Sequence, residues 1–177
     1  MNAATRVIRC PNCGRKNRVP AAESGHPRCG NCHKPLPWIV DALDDTFQDI
    51  AVNADLPVIV DMWAAWCGPC RMVSPVLEEL ATERAGEVKL VKVDVDRAPR
   101  LSSRFSVQAV PTLMILDHGE VIARQAGAAP VAVLRRWFDD TMAQRQRKRA
   151  EQRRAKHPRP GESAGDGEEG GVLREPA

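Results

Sequence analysis

The sequence predicts an α/β domain, in which a β-sheet is flanked by helices, with a small cysteine-rich module in front of it. Between about residues 37 and 143, short β-branched apolar segments alternate with segments of helical periodicity. Residues 1–36 have few apolar side chains but carry four of the six cysteines, so they cannot form an ordinary hydrophobic core. Residues 144–177 are first basic and then acidic, which is typical of a disordered tail.

The central segment is predicted to contain four strands and four helices. The strands are Val58–Met62, Val88–Val95, Thr112–Leu116 and Glu120–Arg124. The helices are Asp41–Val52, Cys70–Ala85, Pro99–Phe105 and Val131–Met142. The sequence Asp117-His118-Gly119 between the last two strands favours a hairpin turn.

A basic stretch follows the predicted last helix. Its seven basic residues, against the single acid Glu151, are Arg145, Arg147, Lys148, Arg149, Arg153, Arg154 and Lys156. The stretch can continue the helix as a charged, solvated extension. Binding to nucleic acid or to an acidic partner is the alternative. Because the stretch has no aromatic residues to stack on bases, the solvated extension is favoured.

Length and composition exclude several classes of protein. The 177 residues suit one ordinary domain with additions. No apolar run approaches the ~20 residues of a membrane span. Residues 1–9 lack an apolar region followed by a cleavage site, so we expect a cytoplasmic protein with reduced thiols. The net charge of +3 is too small to indicate nucleic-acid binding by itself.

The pair Cys67 and Cys70 indicates redox chemistry. It follows the apolar segment 57–63, and we expect a strand to end near Trp63 and a helix to begin at about Cys67. The sulfur of Cys67 would then lie beside the unpaired N–H groups of the first helical turn, which favour a thiolate. Cys70, one turn further in, would be more buried. We therefore predict that Cys67 attacks a disulfide and that Cys70 resolves the mixed disulfide.

The other four cysteines have the spacing of a metal site. Cys10 and Cys13 are separated by fifteen residues from Cys29 and Cys32, within the range of a four-cysteine zinc site. Four thiolates leave no open coordination position, so we predict one structural zinc ion. A histidine in place of one cysteine, two disulfides and an iron site are the alternatives. Because this tetrad is complete without the redox pair, that pair is not needed as half of a metal site.

One part of the chain closely resembles the thioredoxin family. Residues 60–71 resemble the family's active-site stretch and read V-D-M-W-A-A-W-C-G-P-C-R. Residues 110–112 are similar to its cis-proline element, and Gly119 and Gly127 stand where the family has its later glycines. With the N-terminal tetrad included, the chain resembles zinc-binding thioredoxins of bacteria, the thioredoxin 2 type. The resemblance implies a thioredoxin fold, with a central mixed β-sheet flanked by helices and an N-terminal zinc ribbon.

The resemblance also implies roles for particular residues. Asp61 matches the buried carboxylate that accepts or relays the proton of Cys70, and Lys92 matches a lysine near that carboxylate. Pro111 would lie against the disulfide in the cis form. The residues implied at the substrate-binding surface are Trp66, Gly68, Pro69, Val110 and Gly127.

The implied activity is a thiol–disulfide oxidoreductase. It would reduce disulfides of cytoplasmic client proteins, be recharged by an NADPH-dependent thioredoxin reductase, and serve redox homeostasis and the response to oxidative stress. We expect a monomer that holds zinc but no organic cofactor and binds neither membrane nor nucleic acid. The alternative is a zinc-ribbon adaptor that binds nucleic acid or a protein complex, with the second domain as a docking module. A disulfide oxidase or isomerase is a third interpretation.

Overall fold

The structure is a computed structural model that describes residues 5–23 and 25–156. The chain divides into two compact units, Met1–Phe138 and Asp139–Ala177, and the boundary falls inside the last helix. The first unit contains both the cysteine-rich segment and the main sheet. The sequence-based domain boundaries after residues 36 and 143 stay predictions.

Seven strands and three α-helices make up the described residues, together with one five-residue π-helix, Gln48–Val52. The strands are β1 Thr5–Arg9, β2 Lys16–Pro20, β3 Ile39–Asp41, β4 Val58–Trp63, β5 Lys89–Asp94, β6 Thr112–Asp117 and β7 Glu120–Ala126. The α-helices are α1 Cys70–Glu83, α2 Pro99–Arg104 and α3 Val131–Lys156. The four predicted strands and three of the four predicted helices are confirmed, with ends that differ by a few residues except at α3.

The main sheet is mixed, as predicted, with the strand order β3-β5-β4-β6-β7. Strand β5 pairs in parallel with β3 and β4, whereas β6 pairs antiparallel with β4 and β7. The central strand β4 alternates between two covered faces. Val58, Val60 and Met62 belong to the core cluster that includes the cysteine-rich segment. Asp61 is on the opposite face, where it contacts α1.

The hairpin between β6 and β7 has the turn that its sequence predicts. Asp117 pairs with Glu120, and the two residues between them have positive φ angles, 49° at His118 and 81° at Gly119. Two positive φ angles define the type I′ turn, which matches the twist of the flanking strands. A Cβ at Gly119 would also lie 2.6 Å from Cγ1 of Val52, so close approach requires glycine here.

The helix predicted over Asp41–Val52 is wrong in its first half. Residues 39–41 form β3 and pair with residues 90–92 of β5, and Ala42 N–H continues the pairing with Lys92 O at 2.9 Å. This pairing with a strand distant in the sequence overrides the local preference for a helix. The local pattern of residues contains no information about such a pairing. Helical structure is left to the π-helix Gln48–Val52.

Helix α3 is longer than predicted and includes the basic stretch. Leu134 and Phe138 are buried as its periodicity predicts, but Val131 is exposed. Residues 144–156, grouped with the disordered tail by composition, are helical and exposed or half-buried, as the favoured interpretation of a helical extension predicts. Arg, Lys, Gln, Glu and Ala, which dominate this stretch, have high helix propensity. The remainder of the predicted tail, 157–177, lies outside the described residues.

A buried lysine joins the cysteine-rich segment to the main sheet. Lys89 has no exposed surface, and its Nζ donates to the carbonyl oxygens of Ala21 and Ile50 at 2.6 Å each. The ammonium lies 3.9 Å from the ring centroid of Trp38, and the indole N–H donates to Pro20 O at 2.9 Å. These contacts hold both parts of the first compact unit together. No helix in the described part of the chain is long and apolar enough to cross a membrane.

Candidate redox and metal sites

The two redox cysteines lie in the connection from β4 to α1. Strand β4 ends at Trp63 as expected, but α1 begins at Cys70 rather than at Cys67. The intervening residues form tight turns, with Cys67 N–H donating to Ala64 O at 3.1 Å. Pro69 has helical angles (φ −59°, ψ −30°) and precedes the first helical residue, where its missing N–H costs nothing.

Cys67 and Cys70 are joined by a disulfide, with Cα atoms 5.4 Å apart. The residues are 4% and 2% exposed, so exposure hardly distinguishes them. Their backbone surroundings do, because the N–H of Cys70 donates to Sγ of Cys67 at 3.1 Å. An N–H donor at the start of a helix stabilises negative charge on the sulfur that it contacts.

An apolar groove lies beside the redox pair. Trp66 is 69% exposed at its rim, and its indole N–H donates to Oδ2 of Asp96 at 2.9 Å. The groove has a volume of about 250 Å³ and is lined by Trp66, Val95, Pro99, Ser102, Val107, Gln108, Ala109 and Val110. Next to it Gly68 and Pro69 are exposed, and a Cβ at Gly68 would meet open space. Among the described residues nothing therefore crowds this position.

The loop before β6, which also lines this groove, contacts the redox pair. Val110 packs against the small cluster formed by Ala64 and the two cysteines, and the Val110–Pro111 peptide bond is cis. Gly127 donates its N–H to Pro111 O at 2.8 Å with a φ of 81°, a conformation that favours glycine. The structure thus places Val110 beside the cysteines and links Gly127 to Pro111.

Asp61 is fully buried on the face of β4 that contacts α1. Its Oδ2 accepts a hydrogen bond from Oγ of Ser74 at 2.6 Å, and its Oδ1 has no hydrogen-bond partner among the residues that the structure describes. Burial raises the pKa of Asp61 above its ordinary value. The Ser74 hydrogen bond and the charge of Lys92 act in the opposite direction, and the charge of Glu78 adds to the increase.

Lys92 is the strand neighbour of Asp61 but makes its ion pair elsewhere. The two residues are register partners in β4 and β5, whereas Nζ of Lys92 lies 2.6 Å from Oε1 of Glu78. A cleft of about 300 Å³ extends along this pair and is lined by Trp63, Ala64, Ala65, Cys70, Arg71, Ser74, Pro75, Glu78 and Lys92. Solvent in the cleft can therefore reach Cys70 and Ser74, and Ser74 is the residue that contacts Asp61.

The four N-terminal cysteines converge as predicted. Their Sγ atoms all lie within 4.8 Å of one another, and the pairs Cys10–Cys32 and Cys13–Cys29 are each 3.6 Å apart. A tetrahedral ion with metal–sulfur bonds of about 2.3 Å separates its sulfur ligands by about 3.8 Å, so the donor set fits a metal ion. Backbone N–H groups lower the pKa of Cys29 to about 6, whereas burial raises that of Cys10 to about 11.

The two halves of the tetrad have matching turns. The N–H of Gly14 donates to Cys10 O at 2.9 Å, and the N–H of His33 donates to Cys29 O at 3.0 Å. Both donors have positive φ angles, 73° at Gly14 and 58° at His33. Each turn directs its two thiols to one side, so the pair of turns can enclose an ion.

Sequence reasoning missed three residues that contact these sites. Ser74 holds Asp61, Asp96 holds the indole of Trp66, and Asn17 contacts the tetrad with its Nδ2 3.6 Å from Sγ of Cys29. For Ser74 a signal exists, because it follows Cys70 by four residues and so shares its helix face. For Asp96 and Asn17 the sequence offers no comparable signal.

Fold and site together define a disulfide oxidoreductase with a cysteine cluster at its N-terminus. The profile of the thioredoxin family matches residues 38–140. Thioredoxin C-3 of Corynebacterium nephridii is 38% identical over 143 residues, which cover 79% of this chain and 98% of that protein. Thioredoxin of Haemophilus influenzae is 48% identical over 49% of this chain and 81% of its own length. Thioredoxin C-2 of C. nephridii is 43% identical over 59% and 96%. The chain belongs to the thioredoxin family, and its cysteine cluster supports the zinc-binding type.

Proposed function

We propose that this protein reduces disulfides of cytoplasmic client proteins and is recharged by a thioredoxin reductase, as part of redox homeostasis and the response to oxidative stress. The observation that carries the proposal is the Cys67–Cys70 pair at the start of α1, beside an exposed apolar groove. A dithiol in this position can form and break a disulfide while the sheet around it stays folded.

The reaction begins with the reduced pair. The thiolate of Cys67 attacks one sulfur of the client disulfide, and the other client sulfur leaves as a thiolate and takes up a proton. Cys70 then loses its proton and attacks Sγ of Cys67. The bond between Cys67 and Cys70 forms, and the bond between Cys67 and the client breaks. The second client sulfur leaves as a thiolate and takes up a proton, so two electrons have moved to the client. The Cys70 N–H at Sγ of Cys67 supports the assignment of Cys67 as the attacking group.

Asp61 takes the proton of Cys70 in this proposal. A general base works best when its pKa is near the pH of the reaction. The raised pKa of Asp61 brings it closer to that condition. Lys92 lies on the neighbouring strand and favours the ionised form of Asp61 by its charge. The ion pair with Glu78 holds the ammonium group of Lys92 in one position on this strand.

The client binds across the apolar groove. Trp66 and Val110 both line it, and the exposed Gly68 and Pro69 nearby leave room for an extended segment. The backbone of Val110 would pair with that segment, with Pro111 and Gly127 supporting the loop.

The test is disulfide reduction in an insulin assay coupled to thioredoxin reductase and NADPH. We expect Cys67→Ser to abolish turnover and Cys70→Ser to prevent repeated turnover, whereas Ser103→Ala, on the exposed side of α2, keeps it. Full turnover in either cysteine variant would refute the assigned roles. Absence of NADPH oxidation by the native protein with an active reductase would refute the proposed recharging.

The cysteine tetrad binds one zinc ion structurally in this proposal. Cys10, Cys13, Cys29 and Cys32 supply four thiolates at the separation that a tetrahedral ion requires. The bound ion would stabilise the N-terminal segment, which has few apolar residues of its own. Metal analysis of protein purified under reducing conditions should give one zinc per chain. Protein without zinc but with four free thiols in this segment would contradict the assignment.

A further inference from the structure

Ser74 is the polar side chain that contacts the buried carboxylate of the redox site. Its Oγ lies 2.6 Å from Oδ2 of Asp61, and both groups are buried. Since an ionised carboxylate only accepts hydrogen bonds, the hydroxyl donates to it. A donated hydrogen bond favours the charged form, and it is stronger in a buried site than in water.

The position of Ser74 in α1 connects it to both partners of the proton transfer. It follows Cys70 by four residues, so the two side chains lie one turn apart on the same face of the helix. Both also line the solvent cleft beside α1. The hydroxyl thus lies between that cleft and Asp61, which has no exposed surface of its own.

The other elements around Asp61 supply few competing polar groups. From β5, Lys92 acts through its charge, and from α1, Glu78 acts with the opposite sign. From β6, the register partner of Asp61 is the apolar Leu113. Among the described residues, the hydroxyl of Ser74 gives the carboxylate its hydrogen bond, because Oδ1 has no partner.

We propose that Ser74 is a positioning residue of the redox site, whose hydroxyl holds the Asp61 carboxylate and favours its ionised form. Ser74 thereby sets the pH above which Asp61 can accept the proton of Cys70. The inference rests on the proposed role of Asp61 as the group that takes this proton. In that step the proton moves from Sγ of Cys70 to the carboxylate, and the resulting thiolate attacks Sγ of Cys67.

The experiment compares Ser74→Ala, Ser74→Thr and the native protein by two readouts. The first is the pH titration of the Asp61 carboxyl carbon by NMR in the reduced protein, with Asp61→Asn used to assign the resonance. The second is the pH dependence of product release from a fluorogenic peptide disulfide under single-turnover conditions. Thr82→Ala is the matched control, because the Thr82 hydroxyl is also in α1 but bonds to Glu78 O.

We expect Ser74→Ala to raise the midpoint of the Asp61 titration by about one pH unit, which corresponds to a tenfold change in its proton affinity. The acid limb of the release profile should move by the same amount. Ser74→Thr retains a hydroxyl and should behave as the native protein, and Thr82→Ala should change neither readout.

Two results would overturn the inference, and they differ in what they mean for the proposed function. An unchanged Asp61 midpoint in Ser74→Ala would remove the role of Ser74 and leave that of Asp61 intact. A moved midpoint with an unmoved release profile would show that Asp61 does not take the proton of Cys70. Client reduction itself would stand in both cases, because the insulin assay tests it separately.

Discussion

Single side chains decide the chemistry of the redox site. The sequence predicts that Cys67 and Cys70 pair at the junction of a strand and a helix, because spacing and the apolar run before them are local features. It does not predict the hydrogen bond from Ser74 to Asp61. That contact depends on how closely α1 packs on β4, which no local pattern specifies.

A first prediction concerns the pH dependence of stability that Asp61 causes. Burial raises the pKa of Asp61 in the native state above the ordinary 3.8 of the unfolded chain. At pH values between 3.8 and the raised pKa, the native state binds more protons than the unfolded state. The free energy of unfolding therefore falls as the pH rises through this range. We expect Asp61→Asn to lose this decrease, as measured by urea unfolding of the oxidised protein across the acid range.

The matched control for Asp61 is Asp45→Asn, because Asp45 is exposed. This variant should retain the decrease of the native protein. An equal decrease in Asp61→Asn and in the native protein would show that burial of Asp61 does not cause it.

Whole elements were predictable where their signal is local. The hairpin turn, α1 and the apolar strands follow from residue pattern, since glycine at the turn and β-branched runs act within a few residues. The segment 41–52 could not be predicted in the same way. Its first part is determined by pairing of β3 with β5, and Asp44 in the following loop contacts α2.

Helix α2 depends on this distant carboxylate for its first turn. Its own preceding residue, Ala98, offers no side-chain cap, but Asp44 accepts the backbone N–H groups of Arg100 and Leu101 at 3.2 and 2.8 Å. Partial burial raises the pKa of Asp44, but these hydrogen bonds and the charge of Arg100 outweigh burial and lower it overall.

We expect Asp44→Ala to lower the melting temperature by a few degrees at neutral pH, because two N–H groups lose their acceptor. Asp44→Asn retains an acceptor and should lose less. The stabilisation is present above the ordinary carboxyl pKa and disappears as the pH falls through the lowered value. Thermal unfolding followed by circular dichroism tests this, and an equal effect of the neighbouring substitution Asp45→Ala would contradict it.

In the first compact unit, Met1–Phe138, the junction of the cysteine-rich segment with the main sheet could not be read from the sequence. Lys89 lies in a strand where two lysines stand among apolar residues, and a lysine in such a strand is ordinarily exposed. The structure buries it instead between Trp38 and the carbonyls of Ala21 and Ile50. This environment exists only when the cysteine-rich segment, Trp38 and the π-helix all pack against β5.

Replacing Lys89 should therefore destabilise the whole unit. We expect Lys89→Ala to lower the free energy of unfolding by about 2–4 kcal/mol, because it leaves a cavity and two buried carbonyls without a donor. Chemical denaturation is the measurement. Lys16→Ala, an exposed lysine in β2, is the control, and a loss no larger than that of the control would contradict the role of Lys89.

Lys89 also makes the stability of the folded protein depend on pH. Burial lowers the pKa of Lys89 to about 7, from 10.5 in the unfolded chain. Between these values the unfolded state binds more protons, so the stability contributed by this site rises with pH across that window. The increase should be absent in Lys89→Met, and its persistence there would assign it to another group.

In the proposed reaction, Cys67 forms the bond to the client and Cys70 breaks it. The most direct measurement uses Cys70→Ser, incubated in reduced form with a disulfide-containing client, followed by digestion and mass spectrometry of the trapped adduct. We expect one client chain attached to Cys67, which a reducing agent releases. A client attached to the N-terminal cysteines, or no adduct from folded protein, would contradict it.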